Sequence, residues 1–273
     1  MPSLLDDPMV QSGIAPFLVA LALAWALSGT RLAWLAVAAG LAATFALSTG
    51  IGFSPLSASR KIVLLVLLAP LIGLALDGLR RPNRALPLWL AVACALASVW
   101  VFQSVLANTD IPAALALGGG VALFVAVLVG LMLRLRDNGI AAGAATLGLG
   151  AAVGVAAILS ASLGNMMNGV ALAATGGALM LLQLIRGRAL TPGWTGTLTV
   201  GVAAALFGTS TLVLSKLPWF ALALLLLVPL AANVPLDVGR TPRLRLVLLG
   251  LTCVAVATIP ILAAWLATRF PVS

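Results

Sequence analysis

Long apolar runs, separated by short breaks of charged residues, Pro and Asn, set the pattern of the 273-residue chain. Each run has about the 17–25 residues that an α-helix needs to cross roughly 30 Å of hydrocarbon. The strands of a membrane β-barrel would alternate apolar and polar residues, and these runs do not. The pattern therefore predicts an all-α polytopic membrane protein with about ten transmembrane helices. The predicted spans cover residues 9–28, 32–51, 62–79, 85–107, 111–133, 139–163, 166–185, 194–215, 217–236 and 246–268.

The composition is that of a chain with little mass outside a bilayer. Hydrophobic residues make up 63% and charged residues 8%, with a mean hydropathy of +1.22, whereas a soluble domain has about 25% charged residues. No segment between the predicted spans is long enough to fold alone, so we expect a single transmembrane domain over residues 1–273. Residues 1–8 carry two Asp and no cation, unlike a secretory signal, so we expect the first span to be retained.

The cations are divided unequally between the two sides of the predicted bundle. Eleven of the 15 follow the first, third, fifth, seventh and ninth spans, and four lie on the opposite side. Because positively charged loops stay in the cytoplasm, we expect both termini to lie outside, in a plasma membrane or a bacterial inner membrane. These clusters account for the net charge of +9 without nucleic acid, so membrane lipids, and not nucleic acid, are the expected partners.

Several of the rarer residues recur at a nearly constant spacing along the chain. The recurring pairs, each 159 or 160 residues apart, are Pro70 and Pro229, Asp77 and Asp237, Cys94 and Cys253, and Trp34 and Trp194. We hypothesise that residues 9–107 and 166–268, spans 1–4 and 7–10, are parallel four-helix repeats joined by two central helices. The alternatives are a chance echo in a low-complexity apolar chain and an inverted duplication of five plus five helices.

The residue types that most catalytic sites need are scarce. The chain has no His, Tyr or Glu, and its two cysteines lie 159 residues apart in apolar runs. Without His, a Ser–His dyad, a His-ligated haem and an HExxH zinc site are excluded. No Walker or GxGxxG sequence appears. We therefore expect no enzyme activity and no cofactor.

Polar and helix-bending residues in or beside the spans are the candidates for a pathway or gate. Asp77 and Asp237 end predicted cytoplasmic spans with an Arg three residues on. They form either a gating pair or local Asp–Arg pairs, and an exposed pair of that kind is worth about 0–1 kcal/mol. Pro70 and Pro229 lie mid-span, where proline kinks a helix. The remaining candidates are the hydroxyls and amides of Thr44, Ser48, Thr209, Ser210, Gln183 and Asn233.

These side chains allow two interpretations each. The hydroxyls of the second and eighth spans either line a path between the repeats or bond to their own backbone. The amides either meet a solute or join neighbouring helices. Asn165 and Asn168 lie in a cation-free turn on the predicted outer side, which either lines an entrance or is simply a turn.

Two functional classes follow from this pattern. One is a carrier or permease for a small or lipid-like solute, without an evident ion-coupling carboxylate. The other is a non-catalytic integral-membrane subunit of a larger membrane complex, with protein subunits as partners. A water-accessible cavity lined by the Ser and Thr clusters favours the carrier, and a dry bundle with a flat apolar face favours the subunit.

Overall fold

The computed structural model describes residues 7–30, 32–48, 50, 56–79, 83–215, 218–234 and 241–269. Within these ranges the chain is helical, with turns between helices and no strand. A π-helical segment, Val10–Ile14, leads into the first α-helix. The helices are α1 (Ala15–Leu27), α2 (Leu35–Ser48), α3 (Ala58–Asp77), α4 (Leu86–Leu106), α5 (Ile111–Arg134), α6 (Gly139–Leu159), α7 (Leu163–Arg186), α8 (Gly193–Ser215), α9 (Trp219–Leu224), α10 (Leu227–Asn233) and α11 (Pro242–Arg269).

Eight helical stretches are long and apolar enough to cross a membrane. The other two predicted spans correspond to shorter apolar helices, Leu35–Ser48 and Trp219–Asn233. The chain is thus an all-α, multi-pass membrane protein, as the hydropathy pattern predicts. The prediction for residues 32–51 was too long, because residues 32–34 form a turn before α2 begins. At 14 residues α2 is about 21 Å long, short of the hydrocarbon thickness.

The two mid-span prolines have different effects on their helices. Pro70 lies inside α3, which continues to Asp77. Pro229 follows a break at residues 225–226 that separates α9 from α10. Proline has no N–H to donate, so Pro229 leaves the carbonyl of Leu225 without its usual helical donor. The N–H of Val228 donates to that carbonyl instead, at 3.2 Å, which tightens the chain into a turn.

Helix α8 forms the centre of the bundle. It packs against α3 and α5 most extensively and also against α2, α6 and α7, and every residue from Trp194 to Leu212 is buried. The second packing centre is the α6–α7 pair, on which α11 lies. The backbones of α6 and α7 approach so closely that a Cβ at Gly150 would collide with the backbone of Ala173. Close approach through small residues is how helices associate in lipid.

Candidate functional site

A cavity of about 460 Å³ lies at one end of the bundle, where α2 and α8 end and α3 and α7 begin. The cation distribution predicts that this end faces outward, and we call it the outer end and the opposite one the inner end. Eight polar residues line the cavity beside its apolar floor: Ser48, Ser57, Ser59, Arg60, Ser162, Asn165, Asn168 and Ser210.

The hydroxyl clusters of α2 and α8 meet at this cavity. Ser48 and Ser210 both line it, and the rings of Phe45 and Phe207 pack edge to face at 6.3 Å between centroids. The Ser48 hydroxyl donates to the carbonyl of Thr44 at 2.7 Å. A hydroxyl that donates to its own helix keeps lone pairs that can accept from a solute. The cavity therefore presents the exposed Ser48 hydroxyl beside the Phe45 ring, with Ser210 buried behind it in the wall.

Ser210 and Asn165 join α8 to the start of α7 across the cavity wall. The Ser210 hydroxyl oxygen lies 2.8 Å from the Asn165 Oδ1 and 2.8 Å from the carbonyl oxygen of Phe207. One hydroxyl proton serves only one acceptor well, so both contacts are satisfied best when the Asn165 amide turns its NH₂ group toward Ser210. In that arrangement Ser210 donates to Phe207 and accepts from Asn165, leaving the amide oxygen directed away from Ser210.

Arg60 gives the cavity its charge. It stands in the first turn of α3, where the Ser57 side chain caps the helix by accepting from the Arg60 N–H at 3.4 Å. Among the described residues that line the cavity, Arg60 is the one charged side chain. A positive charge in a concave, partly apolar site raises the local concentration of anions and repels cations. The cavity therefore favours solutes without a net positive charge.

Asp77 lies at the inner end, far from the cavity. Its carboxylate accepts from the N–H groups of Trp194 and Thr195 at 2.8 and 3.0 Å and from the Thr195 hydroxyl at 2.6 Å. Gly73, one turn earlier on α3, has no room for a Cβ against the backbone of Thr195, so the two helices touch here. Asp77 thus caps the N-terminus of α8 from another helix. Arg80 and Asp237, the partners expected from the sequence, lie outside the described residues, so those two pairings stay predictions.

Gln183 ties the α7–α8 loop (residues 187–192) to α6. Its amide NH₂ donates to the carbonyl of Gly139 at 3.3 Å, and its oxygen accepts from the N–H of Leu190 at 3.4 Å. The indole N–H of Trp34 donates to the carbonyl of Leu190 at 2.9 Å. Arg188 donates to the carbonyl of Ser28 at 2.8 Å. These bonds close the inner end, and Gln183 joins helices there.

The other candidates occupy separate places. Thr44 is buried one turn below Ser48, and Thr209 is buried next to Ser210 in the sequence. Each hydroxyl donates to a carbonyl of its own helix, Thr44 to Gly40 at 3.3 Å and Thr209 to Ala205 at 2.8 Å. Asn233 donates to the carbonyls of Pro229 and Leu131 at 2.7 and 3.3 Å, which fastens α10 to α5. Pro70 is buried within α3. Asp237 lies outside the described residues.

Two of the ten candidates, Ser48 and Ser210, therefore share the cavity, and two more, Asp77 and Gln183, share the inner end. Arg60 was missed as a site residue and counted only as a cation of the outer side. The sequence signal for Arg60 is that it is one of only four cations on the predicted outer side.

Comparison with protein-family models found no match, and comparison with curated proteins found none. Within the described part of the chain, no three His, Cys, Asp or Glu side chains come together as a metal site would need. Cys94 and Cys253 are both free thiols. The functional interpretation therefore rests on the cavity and on the hydrogen bonds at the inner end.

Proposed function

We propose that the protein is a carrier or permease for a small polar solute without net positive charge, which binds in the cavity between α2, α3, α7 and α8. The observation that carries the proposal is the convergence of Ser48, Ser210 and Asn165 on a cavity of about 460 Å³. Small-molecule sites in proteins usually have volumes of about 300–1,000 Å³ and a few convergent polar groups on apolar walls. The polar wall favours a small solute over a lipid-like one.

The closed inner end gives the proposal its mechanism. The solute enters from the outer end and rests against Phe45. Release to the other side requires the bonds around the α7–α8 loop and Asp77 to open while the cavity closes, which is alternating access around one site. The proposed transport is down the solute's own gradient, and among the described cavity residues there is no Asp to carry a proton.

Thiol labelling tests whether the bundle opens to both sides. Ser210→Cys and Thr199→Cys are made in a chain with Cys94 and Cys253 replaced by Ala, and each is exposed to a charged, membrane-impermeant thiol reagent from either side. A carrier exposes position 210 to the outer side and position 199, which is buried below the cavity, to the inner side. Thr146→Cys, also buried, lies on α6 and serves as the control that stays unlabelled.

The outcome separates a carrier from a static bundle. Inner-side labelling of Thr199→Cys above the Thr146→Cys control supports alternating access. If Thr199→Cys is as unreactive as the control from both sides, the inner end does not open and the carrier proposal fails.

A membrane-complex subunit is the second candidate, and one surface feature favours it. The lipid-facing side of α4 and α5 has a shallow hollow of about 550 Å³ lined by Ala114, Gly118, Gly119 and Ala122 among others. Small residues allow another helix to approach closely. Purification from the native membrane in mild detergent distinguishes the two: a stoichiometric co-purifying protein supports the subunit, and a protein that purifies alone supports the carrier.

A further inference from the structure

A second, wholly apolar cavity lies on the flank of the bundle. It has a volume of about 140 Å³ and forms a furrow between α3 and α4 with α5 and α8 as its floor. Its lining residues are Leu65, Leu68, Ala69, Ile72, Leu90, Ala93, Cys94, Ala97, Val125, Leu198, Val202 and Leu206. The furrow exists because α3 packs mainly on α8 and α4 mainly on α5, so the two helices leave a gap between them.

The furrow opens sideways and is long enough for part of an alkyl chain. From Leu65 to Ile72 it runs about 10 Å along α3, roughly a third of the hydrocarbon thickness. Leu68 and Ile72 are exposed on its rim, so the gap faces the bilayer. Hydrocarbon side chains and one thiol line it, and they offer contact to an apolar ligand only.

A cation closes the outer end of the furrow. Lys61 precedes Leu65 by one helical turn on α3, and Trp100 follows Ala97 by one turn on α4. The Lys61 ammonium donates to the Trp100 carbonyl at 3.1 Å and lies 4.6 Å from the centre of the Trp100 ring. Trp100 is partly exposed at this end, as tryptophans at the membrane interface are.

Lys61 has no acidic partner in the described part of the chain. The side chain is 6% exposed, and the one ion pair among the described residues joins Arg136 to Asp137 instead. An ammonium has three donors, and the Trp100 carbonyl accepts one of them. A buried charge is costly unless an opposite charge accompanies it, so this position favours an anion that can approach from the membrane.

We propose that the furrow binds an anionic glycerophospholipid, with one acyl chain along α3 and α4 and the phosphate beside the Lys61 ammonium. The apolar furrow selects a chain, the cation at its interfacial end selects a negative headgroup, and the two lie one helical turn apart. Lysines at the membrane surface attract anionic lipids in this way. A free phosphate or carboxylate would gain nothing from the furrow.

The lipid site is separate from the solute cavity. Arg60 and Lys61 are neighbours in the sequence, but Arg60 lines the cavity between α2, α3, α7 and α8, whereas Lys61 turns to α4. The lipid proposal therefore stands independently of the carrier proposal.

Photocrosslinking of the full-length protein in proteoliposomes tests the site. The probe is phosphatidylglycerol with a diazirine in its acyl chain, and crosslinked positions are mapped by mass spectrometry. We expect crosslinks at residues 65–72 and 90–97, displaced by excess phosphatidylglycerol about fivefold more effectively than by phosphatidylcholine, since a lysine at the surface favours anionic lipid by that factor.

Three variants separate the two halves of the site. Lys61→Met should reduce crosslinking by phosphatidylglycerol about fivefold, and Ala97→Phe, which fills the furrow, should abolish it at these positions. Arg269→Met is the matched control, because Arg269 also lies over a tryptophan, 4.4 Å from the centre of the Trp265 ring, but not at this furrow. It should leave the crosslinks unchanged.

Two results would overturn the proposal, and the first requires no variant. Crosslinks spread evenly over the lipid-facing surface, or displaced equally by both lipids in the wild-type protein, exclude a specific anionic site. Unchanged crosslinking of a folded Ala97→Phe protein, judged by size-exclusion chromatography, excludes the furrow as the place where the acyl chain binds.

Discussion

The carboxylate of Asp77, the last residue of α3, accepts a hydrogen bond from the hydroxyl of Thr195 in the first turn of α8 at 2.6 Å. The N–H groups of Trp194 and Thr195 donate to the same carboxylate. A negative charge at a helix N-terminus is favourable, because the first N–H groups there have no partner within the helix. One side chain thus fixes the relative position of the two helices at the inner end.

Removal of this cap should destabilise the protein. Asp77→Ala leaves two N–H groups and a hydroxyl of α8 without their acceptor, and we expect it to cost about 1–2 kcal/mol of stability. The measurement is the thermal midpoint in detergent, followed by size-exclusion chromatography of a fluorescently tagged protein. Asp137→Ala is the control, since Asp137 is exposed and pairs with its neighbour Arg136. Equal midpoints for the two variants would refute the capping role.

The bond between Trp34 and Leu190 gives a second prediction. Trp34 is fully buried, and its indole N–H donates to the Leu190 carbonyl at 2.9 Å. Trp34→Phe keeps most of the apolar surface but removes the donor, so a buried carbonyl loses its partner at a cost of about 1–3 kcal/mol. The same thermal assay should show a lower midpoint. Trp89→Phe, at an exposed tryptophan, should leave the midpoint unchanged, and a similar loss in both variants would contradict this account.

Two glycines provide a matched pair for the packing of helices in the bundle. Gly150→Ala should destabilise, because the new methyl group collides with the backbone of Ala173 on α7. Gly119→Ala has open space around it and should stabilise by up to about 1 kcal/mol through helix propensity. Shifts of the thermal midpoint in opposite directions are expected. A Gly150→Ala protein as stable as the wild type would show that α6 and α7 can move apart without a loss of stability.

The carrier proposal predicts which side chains block transport. Ser210→Phe and Ser48→Phe should each fill part of the cavity and stop uptake of an isotopically labelled mixture of small polar metabolites into proteoliposomes, measured by mass spectrometry. Ser104→Phe, at an exposed position near the same end of α4, controls for added bulk. Uptake that is equal in all three variants and the wild type would place the pathway elsewhere.

Hydropathy predicted the fold well because each apolar run has to satisfy its own backbone in the bilayer, which only a helix does. The boundaries of α5 and α8 lie within one residue of the predicted spans, whereas α3 begins at Ala58 and includes Arg60 and Lys61, which the prediction had placed before the helix. The difference between Pro70 and Pro229 was not predictable, because either proline can kink or be accommodated according to the packing around it. The proposed duplication of spans 1–4 and 7–10 stays a prediction.

The site was predictable only in part. The sequence left two interpretations for the hydroxyls of Ser48 and Ser210. The structure places both residues at one cavity, and each hydroxyl also donates to a carbonyl of its own helix. The partner of Asp77 was not predictable, because Thr195 lies 118 residues away and the sequence offers nearby arginines as more obvious neighbours. Arg60 and Lys61 differ in role although they are adjacent, since successive helical residues point to different faces.

The burial of α8 constrains how the chain can be made. Its residues from Trp194 to Leu212 are buried among other helices in the finished protein, so α8 needs those helices around it before it is covered. The earlier spans α3 and α5 therefore have to wait in the membrane with the faces that later cover α8 still turned to lipid. A chain that stops before residue 193 has no helix for those faces to enclose, and it leaves them exposed to lipid.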